Sequence, residues 1–255
     1  MAIRDTQDCL IFEVPTLGAG LIRDTQDSLI FEIPYTPVIP ITYPVLPPAI
    51  SGIGPSDFNM ALSIKVGESV SDFTGAEQEF AWPGDMFTID ATMPPMLAAQ
   101  GEQWMAWIDS LFGKYGYFLM PDYNRLTPQG PMSGAPVVNG ANAAGSNTLN
   151  IRGAAASVTN WALAGDYLQI TAFNSALGFN VQRLYRILQN ASSLGSGDVT
   201  AYIRPSLREP LSDGTAIVTA NCAGTFRLAS NKSSRPVDKN RVYTIKFTAR
   251  EALLQ

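Results

Sequence analysis

The sequence contains no histidine, and this one absence removes several kinds of catalytic and metal site. Without an imidazole, a Ser-His-Asp triad, a Cys-His pair and any His-containing metal site are excluded. The two cysteines, Cys9 and Cys222, are too few for a disulfide framework or a four-thiolate metal centre. We therefore expect both to be free thiols in a reducing compartment.

Charge and long apolar runs are also scarce. Charged residues make up 15% of the chain, against about 25% in typical globular proteins. The net charge of −5 argues against general nucleic-acid binding. No stretch reaches the ~20 apolar residues that a membrane-spanning helix needs, and the first residues lack the apolar core of a secretion signal. We expect a protein that is made in the cytoplasm and stays soluble or assembles there.

No motif for catalysis or cofactor binding is found. Gly52-Ile53-Gly54 lies beside Pro55, without the preceding strand and following helix of a phosphate-binding loop. Gly113-Lys114 lacks that loop's upstream glycine and its Ser or Thr. The carboxylates are too spread to nominate a glycosidase pair. The sequence thus predicts a protein that is not an enzyme and has no catalytic residue, cofactor or metal.

The clearest feature that is present is a duplication near the start of the chain. Residues 3–15 read IRDTQDCLIFEVP and residues 22–34 read IRDTQDSLIFEIP, with 11 of 13 positions identical. Ser28 replaces Cys9 in the second copy, which argues against a catalytic thiol at Cys9. Each copy contains a short run of strand-forming residues: Leu10, Ile11 and Phe12 in the first, and Leu29, Ile30 and Phe31 in the second.

Two interpretations of the copies are open. They could pair with each other as a hairpin through the loop at 16–21. Alternatively, each copy adds as a strand to an exposed sheet edge on a neighbouring subunit. A repeated docking peptide gains avidity, which explains the near-identity, whereas two strands of one hairpin need not be alike. We favour docking, and predict that residues 1–34 form a docking arm.

Residues 35–56 are predicted to be a proline-rich spacer. Prolines favour extended polyproline II, and they are incompatible with a helix interior or a central strand. We expect the globular body to start near Asp57. The prolines in and beside the spacer are Pro34, Pro37, Pro40, Pro44, Pro47, Pro48 and Pro55.

The body has the alternating pattern of a mainly β protein with one helix. Met60, Leu62, Ile64 and Val66 are predicted to share a strand face, and a turn is predicted at residues 83–85. Apolar spacing predicts a helix over 96–112, ended by Gly113, with Trp104 and Trp107 in the core. Short strands then recur about every 8–12 residues, as in a small barrel or sandwich. The stretch 241–249 alternates again, as a long strand with one buried face.

Several stretches, in this order, resemble the distal tail and minor tail proteins of long-tailed bacteriophages. They are MPPMLAAQGEQWMAWIDSLFGKYGYFLMPD (93–122), GAPVVNGANAAGSNTLNIRG (134–153), AGDYLQI (164–170), LYRIL (184–188), DVTAYIRPSLREPLSDGTAI (198–217), GTFRLAS (224–230) and YTIKFTAREAL (243–253). The resemblance depends on their order and combination, since no single stretch is a chemical signature.

This resemblance implies a structural subunit of the virion tail, often a homo-hexameric ring in the baseplate that joins the tail tube to tip or hub proteins. It also implies assembly in the host cytoplasm, DNA only in transit and no membrane contact once assembled. The implied fold is a tube-type β-barrel or sandwich domain (57–125 with 231–255) with helix 96–112 packed on it, and an inserted small β-barrel or sandwich module (126–230). The duplicated arm departs from the family's usual short N-terminus, which suggests an additional docking partner.

Charge is unevenly distributed along the body. The segment 68–90 contains six acids and no basic residue: Glu68, Asp72, Glu77, Glu79, Asp85 and Asp90. They could line a channel and keep passing DNA from sticking, or form a solvated acidic face. A basic C-terminal stretch could contact a neighbour's acidic segment, and contains Arg227, Lys232, Arg235, Lys239, Arg241, Lys246 and Arg250.

The alternative function is a host-surface module that binds carbohydrate. Trp161, Tyr167 or Tyr185 in the inserted module could provide the aromatic platform that a sugar ring needs. These residues fall in or beside predicted strands, where a role in the core is the simpler interpretation. A cell-wall-degrading enzyme is disfavoured by the lack of histidine and of a paired-acid motif.

Overall fold

The structure is a computed structural model that describes residues 2–4, 10–12, 42–49, 54–232 and 242–253. The chain divides into two compact units, residues 1–40 and residues 41–255. In the first unit, strand β1 (Ala2–Arg4) pairs antiparallel with β2 (Leu10–Phe12). The second copy of the repeat, with Leu29, Ile30 and Phe31, lies outside the described residues, as does Cys9. The docking arm therefore stays a prediction.

The second unit is mainly β, as the sequence predicts, and contains one helix among its described residues. Its elements are β3 (Asp57–Val70), β4 (Glu77–Thr92), α1 (Ala98–Ser110), β5 (Phe118–Pro121), β6 (Gly134–Val138), β7 (Thr148–Ala154), β8 (Tyr167–Asn174), β9 (Phe179–Ile187), β10 (Val199–Arg204), β11 (Ile217–Val218), β12 (Ala223–Leu228) and β13 (Lys246–Glu251).

Five strands form an antiparallel sheet in the order β3-β4-β13-β12-β5, and helix α1 packs on one of its faces. Trp104 and Trp107 are buried and stand edge to face, with ring centroids 5.4 Å apart. Trp104 also stacks on Phe247 of β13. Gly113 has φ +64°, a left-handed conformation that favours glycine after a helix end. The predicted helix and its core tryptophans are confirmed.

The other six strands form a sheet in the order β11-β8-β9-β10-β7-β6, which we call the second sheet. It is nearly closed into a barrel, since Val137 of β6 forms a bridge with Ala216, next to β11. Its interior is filled by fully buried side chains that include Leu149, Ile151 and Trp161. Each strand faces this interior with alternate residues, which is the pattern that the short, evenly spaced strands predicted.

Strand β12 joins the five-stranded sheet, although the resemblance implies that residues up to 230 belong to the inserted module. Ala223 to Phe226 pair with β5, and Phe226 to Leu228 pair with β13. Phe226 and Leu228 are buried in the core under helix α1. The chain therefore returns to the five-stranded sheet before residue 230, because these two apolar side chains complete that core.

Part of the proline-rich spacer packs on the body. The Val45 amide donates to the Tyr117 carbonyl (N···O 2.8 Å), and the Leu119 amide donates to the Val45 carbonyl (3.0 Å). The Tyr43 hydroxyl donates to the Ser110 carbonyl (3.0 Å). Val45 thus pairs with the outer edge of β5, a common protection of a sheet edge. The compact body starts well before Asp57, and that prediction is wrong.

The turn predicted at residues 83–85 is not a turn. Strand β4 continues through it, and the chain reverses at residues 71–76, where the Ser71 amide donates to the Ala76 carbonyl (2.9 Å). The register shifts between Ser63 and Lys65, in the part of β3 that faces Pro83. Proline fits such an irregularity because no ladder hydrogen bond is required of it. Beyond this shift Ile64 and Val66 are exposed, so they do not share the core face of Met60 and Leu62.

Candidate functional site

A projecting hairpin, residues 64–82, extends beyond the five-stranded sheet. Past the register shift, β3 and the first half of β4 pair only with each other among the described residues. At about 3.3 Å per residue, the hairpin projects by about 20 Å. Its turn holds Phe73, which is 99% exposed. The exposed large apolar residues of the hairpin are Ile64, Val66, Val70, Phe73, Phe80 and Trp82.

One face of the projecting hairpin is aromatic. Trp82 lies opposite Lys65, and Phe80 lies opposite Gly67. A Cβ on Gly67 would come within 3.0 Å of the Trp82 Nε1, so the missing side chain leaves room for the indole to lie across the strand. Trp82 nevertheless stays 63% exposed. Such an apolar surface on a projection is typical of a contact with another protein.

The opposite face of the projecting hairpin is acidic. Glu68 lies directly opposite Glu79, and Glu77 lies opposite Val70. All three carboxylates are exposed, as is Asp72 in the turn. Strand alternation therefore separates an aromatic face from an acidic face on the same two strands.

The two remaining predicted acids lie elsewhere. Asp90 is exposed on the five-stranded sheet, opposite Asn59 and Thr248. Asp85 is only 6% exposed and forms an ion pair with Arg204, with 3.1 Å between Asp85 Oδ2 and Arg204 Nε. Asp85 is therefore not part of an exposed acidic surface, which corrects its selection as a channel-lining residue.

A chain of buried charges joins the root of the hairpin to the second sheet. The Arg183 guanidinium of β9 binds Glu209 through Nη2 and Oε1 (2.6 Å) and donates from Nη1 to the Ala252 carbonyl (2.6 Å). Arg183 is 2% exposed. Asn174 also donates to Glu209 Oε1 (2.9 Å). The buried charges of Arg183 and Glu209 are therefore paired with each other and hydrogen-bonded, as burial requires.

The chain of charges continues into the five-stranded sheet. Arg208 Nη2 lies 3.3 Å from Glu251 Oε2 and also donates to the Asp85 carbonyl. Glu251 Oε2 accepts from the Phe87 amide (3.3 Å). Arg204 and Arg208, at and just after the end of β10, thus hold the backbone and the carboxylate of Asp85. We call the set Asp85, Arg183, Arg204, Arg208, Glu209 and Glu251 the buried anchor.

Sequence reasoning missed the buried anchor, although one signal was present. Arg183 and Glu251 stand at inward positions of alternating strands, where neighbours such as Val181, Tyr185 and Ala249 are apolar and buried. A charge at such a position implies a buried partner. Nothing in the sequence identifies which partner it is, since Arg183 and Glu251 are far apart along the chain.

Two buried groups near the junction of the sheets titrate at unusually high pH. The Cys222 thiol contacts the carbonyl oxygens of Tyr167 (3.4 Å) and Val218 (3.3 Å), and burial raises its pKa to about 12. Burial, and then the charge of Asp122, raises the pKa of Tyr167 to about 12. A thiol this hard to ionise is a poor nucleophile, so Cys222 is a core residue.

The folded chain should therefore lose stability as the pH rises above 9. The stabilisation from the buried Cys222 thiol is complete below the ordinary thiol pKa of 9.0. It is lost progressively as the pH rises toward the raised pKa, because the thiol ionises more readily in the unfolded chain. In this range Cys222 lowers the free energy of unfolding by up to about 1.4 kcal/mol per pH unit. Urea unfolding at pH 8, 9 and 10 should show a shallower decline for Cys222→Ala than for the unchanged chain. Cys9→Ser, which copies Ser28 of the second repeat, should keep the original slope; equal slopes for all three proteins would contradict the assignment.

The aromatic residues considered for carbohydrate binding are buried. Trp161 is fully buried and donates from its indole nitrogen to the Ser133 carbonyl (2.8 Å). Tyr185 is also enclosed, and its hydroxyl accepts from the Arg208 amide (3.3 Å). Tyr167 lies edge to face with Phe87, between the two sheets. None of these three rings offers a face to a sugar.

The projecting hairpin is the main candidate site, because the described residues contain neither a metal-ligating cluster nor a membrane-spanning helix. Across the ranges that the structure describes, no cluster of three or more metal-ligating side chains occurs. In the same residues, no helix is long and apolar enough to cross a bilayer. The fold and the site define a mainly β protein with two sheets, one nearly closed, and an exposed two-faced hairpin. No protein-family model matches the chain, and no curated protein matches it.

Proposed function

We propose that this protein is a non-enzymatic structural subunit of a bacteriophage tail tip, which forms a ring, foremost a hexamer, between the tail tube and tip or hub proteins. The observation that carries the proposal is the projecting hairpin, with Phe73, Phe80 and Trp82 exposed far from the core. A two-stranded hairpin is marginally stable alone, and exposed apolar surface on it favours a protein partner. Contact with neighbouring subunits stabilises the hairpin and also covers its apolar surface.

A second feature supports assembly through strand addition. Strand β3 is 14 residues long and lies at the edge of its sheet, with β4 on one side and no partner strand on the other among the described residues. Long open edges accept added strands. Leu10–Phe12 and Leu29–Phe31 have the composition of such a strand. We propose that the duplicated arm of one subunit docks on an open edge of a neighbour, with avidity from the two copies.

The exposed acids fit a subunit that surrounds passing DNA. Asp72, Glu77 and Asp90 are solvent-exposed carboxylates that a ring could turn toward its channel. Like charge on the channel wall would reduce DNA adhesion. The alternative, a carbohydrate-binding module, has no comparable support, because Trp161, Tyr167 and Tyr185 are buried.

Native mass spectrometry and electron microscopy of the purified chain test this proposal. We expect closed rings with a fixed number of copies, and we expect the chain in purified particles of a phage that encodes it. A chain that lacks residues 1–34 should still form rings but should be incorporated into particles less efficiently. A monomer at every concentration, or absence from purified particles, would overturn the proposed function; unchanged incorporation of the shortened chain would overturn the docking arm alone.

A further inference from the structure

Two arginines on the five-stranded sheet face each other, and no counter-charge pairs with either of them among the described residues. Arg227 of β12 and Arg250 of β13 are directly opposite in the antiparallel register. Neither forms an ion pair or a hydrogen bond within the described residues, and the Nε of each is buried without a partner. Like charges directly opposite one another on a sheet are destabilising. Arg227 also lies close enough to Tyr117 to oppose in part the rise that burial causes in the pKa of that tyrosine.

The projecting hairpin holds the opposite arrangement. Glu68 and Glu79 are also directly opposite in an antiparallel register, both are exposed, and neither has a basic partner in the described part of the chain. Cross-strand neighbours have Cβ atoms about 5 Å apart in any antiparallel pair. The Cβ atoms of the two glutamates are therefore about as far apart as those of the two arginines. Each guanidinium can bind a carboxylate with two parallel hydrogen bonds.

The two pairs cannot meet within one chain. Arg250 lies opposite Thr88 on β4, and Glu79 is nine residues further back along the same strand. At about 3.3 Å per residue, this places the pairs about 30 Å apart. Asp90 lies opposite Thr248, two residues before Arg250 on the same strand, and forms no ion pair with either arginine. Among the described residues, the two pairs therefore cannot neutralise each other within one chain, whereas a second copy offers each pair its opposite.

We propose that Glu68 and Glu79 of one copy bind Arg227 and Arg250 of the next copy. The inference rests on the proposed self-assembly, and it replaces the channel-lining role for these two glutamates. An acidic patch that binds a different, basic patch makes a head-to-tail contact, which closes into a ring when its rotation allows. The glutamates offset the repulsion between the two arginines, and the arginines offset the repulsion between the two glutamates. The aromatic face of the hairpin, with Phe80 and Trp82, is left free to pack against other surfaces.

Charge reversal with complementation tests this contact. Glu68→Lys with Glu79→Lys should weaken assembly about 10-fold or more, and Arg227→Glu with Arg250→Glu should do the same. Neither variant should form rings alone. An equal mixture should restore them, because each lysine hairpin then meets a glutamate pair and each glutamate hairpin meets an arginine pair. Sedimentation velocity at low and high salt measures both effects, since screening weakens exposed ion pairs.

A matched control uses two exposed acids outside the contact. Asp57→Lys with Asp213→Lys changes the net charge equally and should assemble as the unchanged chain does. If the Arg227→Glu, Arg250→Glu variant fails to fold, Arg227→Gln with Arg250→Gln removes the same contact without burying a new charge, and should weaken assembly and flatten its salt dependence. An unchanged chain that never assembles overturns the proposed function and this contact together. Normal assembly of the glutamate variant, or failure of the mixture of folded variants to recover, overturns the contact alone.

Discussion

Shortening the projecting hairpin should convert the assembled protein into a monomer without unfolding it. Lys65 and Trp82 are cross-strand partners, so residues 66–81 can be replaced by Asn-Gly, which forms a two-residue turn between antiparallel strands. The removed residues are exposed or half-buried, whereas core residues such as Phe58 and Phe87 stay in place. The Tm of the monomer should therefore change little. Light scattering after size-exclusion chromatography gives the mass, and thermal unfolding gives the Tm.

A matched control separates the hairpin from exposed apolar surface in general. Phe173 is 63% exposed but lies on β8 of the second sheet, and Phe173→Ser should leave the oligomer intact. Phe80→Ser with Trp82→Ser should weaken assembly without shortening the chain, because both remove apolar area that the hairpin offers to neighbouring subunits, in addition to its acidic face. Full assembly by the shortened chain would show that the hairpin is not the contact.

Replacing Arg183 with methionine should lower the free energy of unfolding by about 3–5 kcal/mol. The substitution leaves the carboxylate of Glu209 buried without its cation and takes a positive charge from beside Glu251. Removing one partner of a buried pair is costly because the other charge remains desolvated. Urea unfolding in the shortened-hairpin background measures the effect without a contribution from subunit dissociation.

The control for this prediction is an ion pair of the same type at the surface. Arg152 binds Asp213 at 2.8 Å, but about half of each side chain is exposed. Arg152→Met should therefore cost no more than about 1 kcal/mol. A similar small loss for both variants would mean that the buried anchor contributes little to the junction between the sheets. A large loss for Arg183→Met alone supports the anchor.

The strands and the helix were predictable because they depend on local alternation. The strand predicted over 241–249 is observed as β13, Lys246–Glu251, so its first part is not a strand, but Tyr243, Phe247 and Ala249 are buried as the alternation predicts. The helix prediction of 96–112 differs from the observed Ala98–Ser110 only at the ends. Period-2 and period-3.6 patterns report which face of an element is buried, and that information is carried by neighbouring residues.

The irregular parts of the fold were not predictable in this way. Pro83 and Gly84 have the composition of a turn, but the pairing of β3 with β4 passes through them. Tyr43 and Val45 lie in a proline-rich stretch, yet Val45 pairs with the edge of β5 and Tyr43 binds the Ser110 carbonyl. In each case a contact with a distant segment decides the structure, and local composition does not record such contacts.

The candidate site was also predictable only in part. The acids of segment 68–90 were visible in the sequence, and so was the basic composition of the C-terminal stretch. The sequence did not show that Glu68 faces Glu79, that Arg227 faces Arg250, or that Asp85 is buried against Arg204. Strand register sets these relations, and register depends on pairing across the whole sheet.

By itself, the sequence determined the mainly β class, the single described helix and its core face, the repeat of residues 3–15 in residues 22–34, and the lack of histidine. Each of these depends on composition or on residues a few positions apart. Only the tertiary structure decided that a hairpin projects from the sheet, that its two faces differ, and that buried charges from both sheets meet at its root. The physical reason is that register and burial are set by hydrogen bonds and packing between segments far apart in the chain.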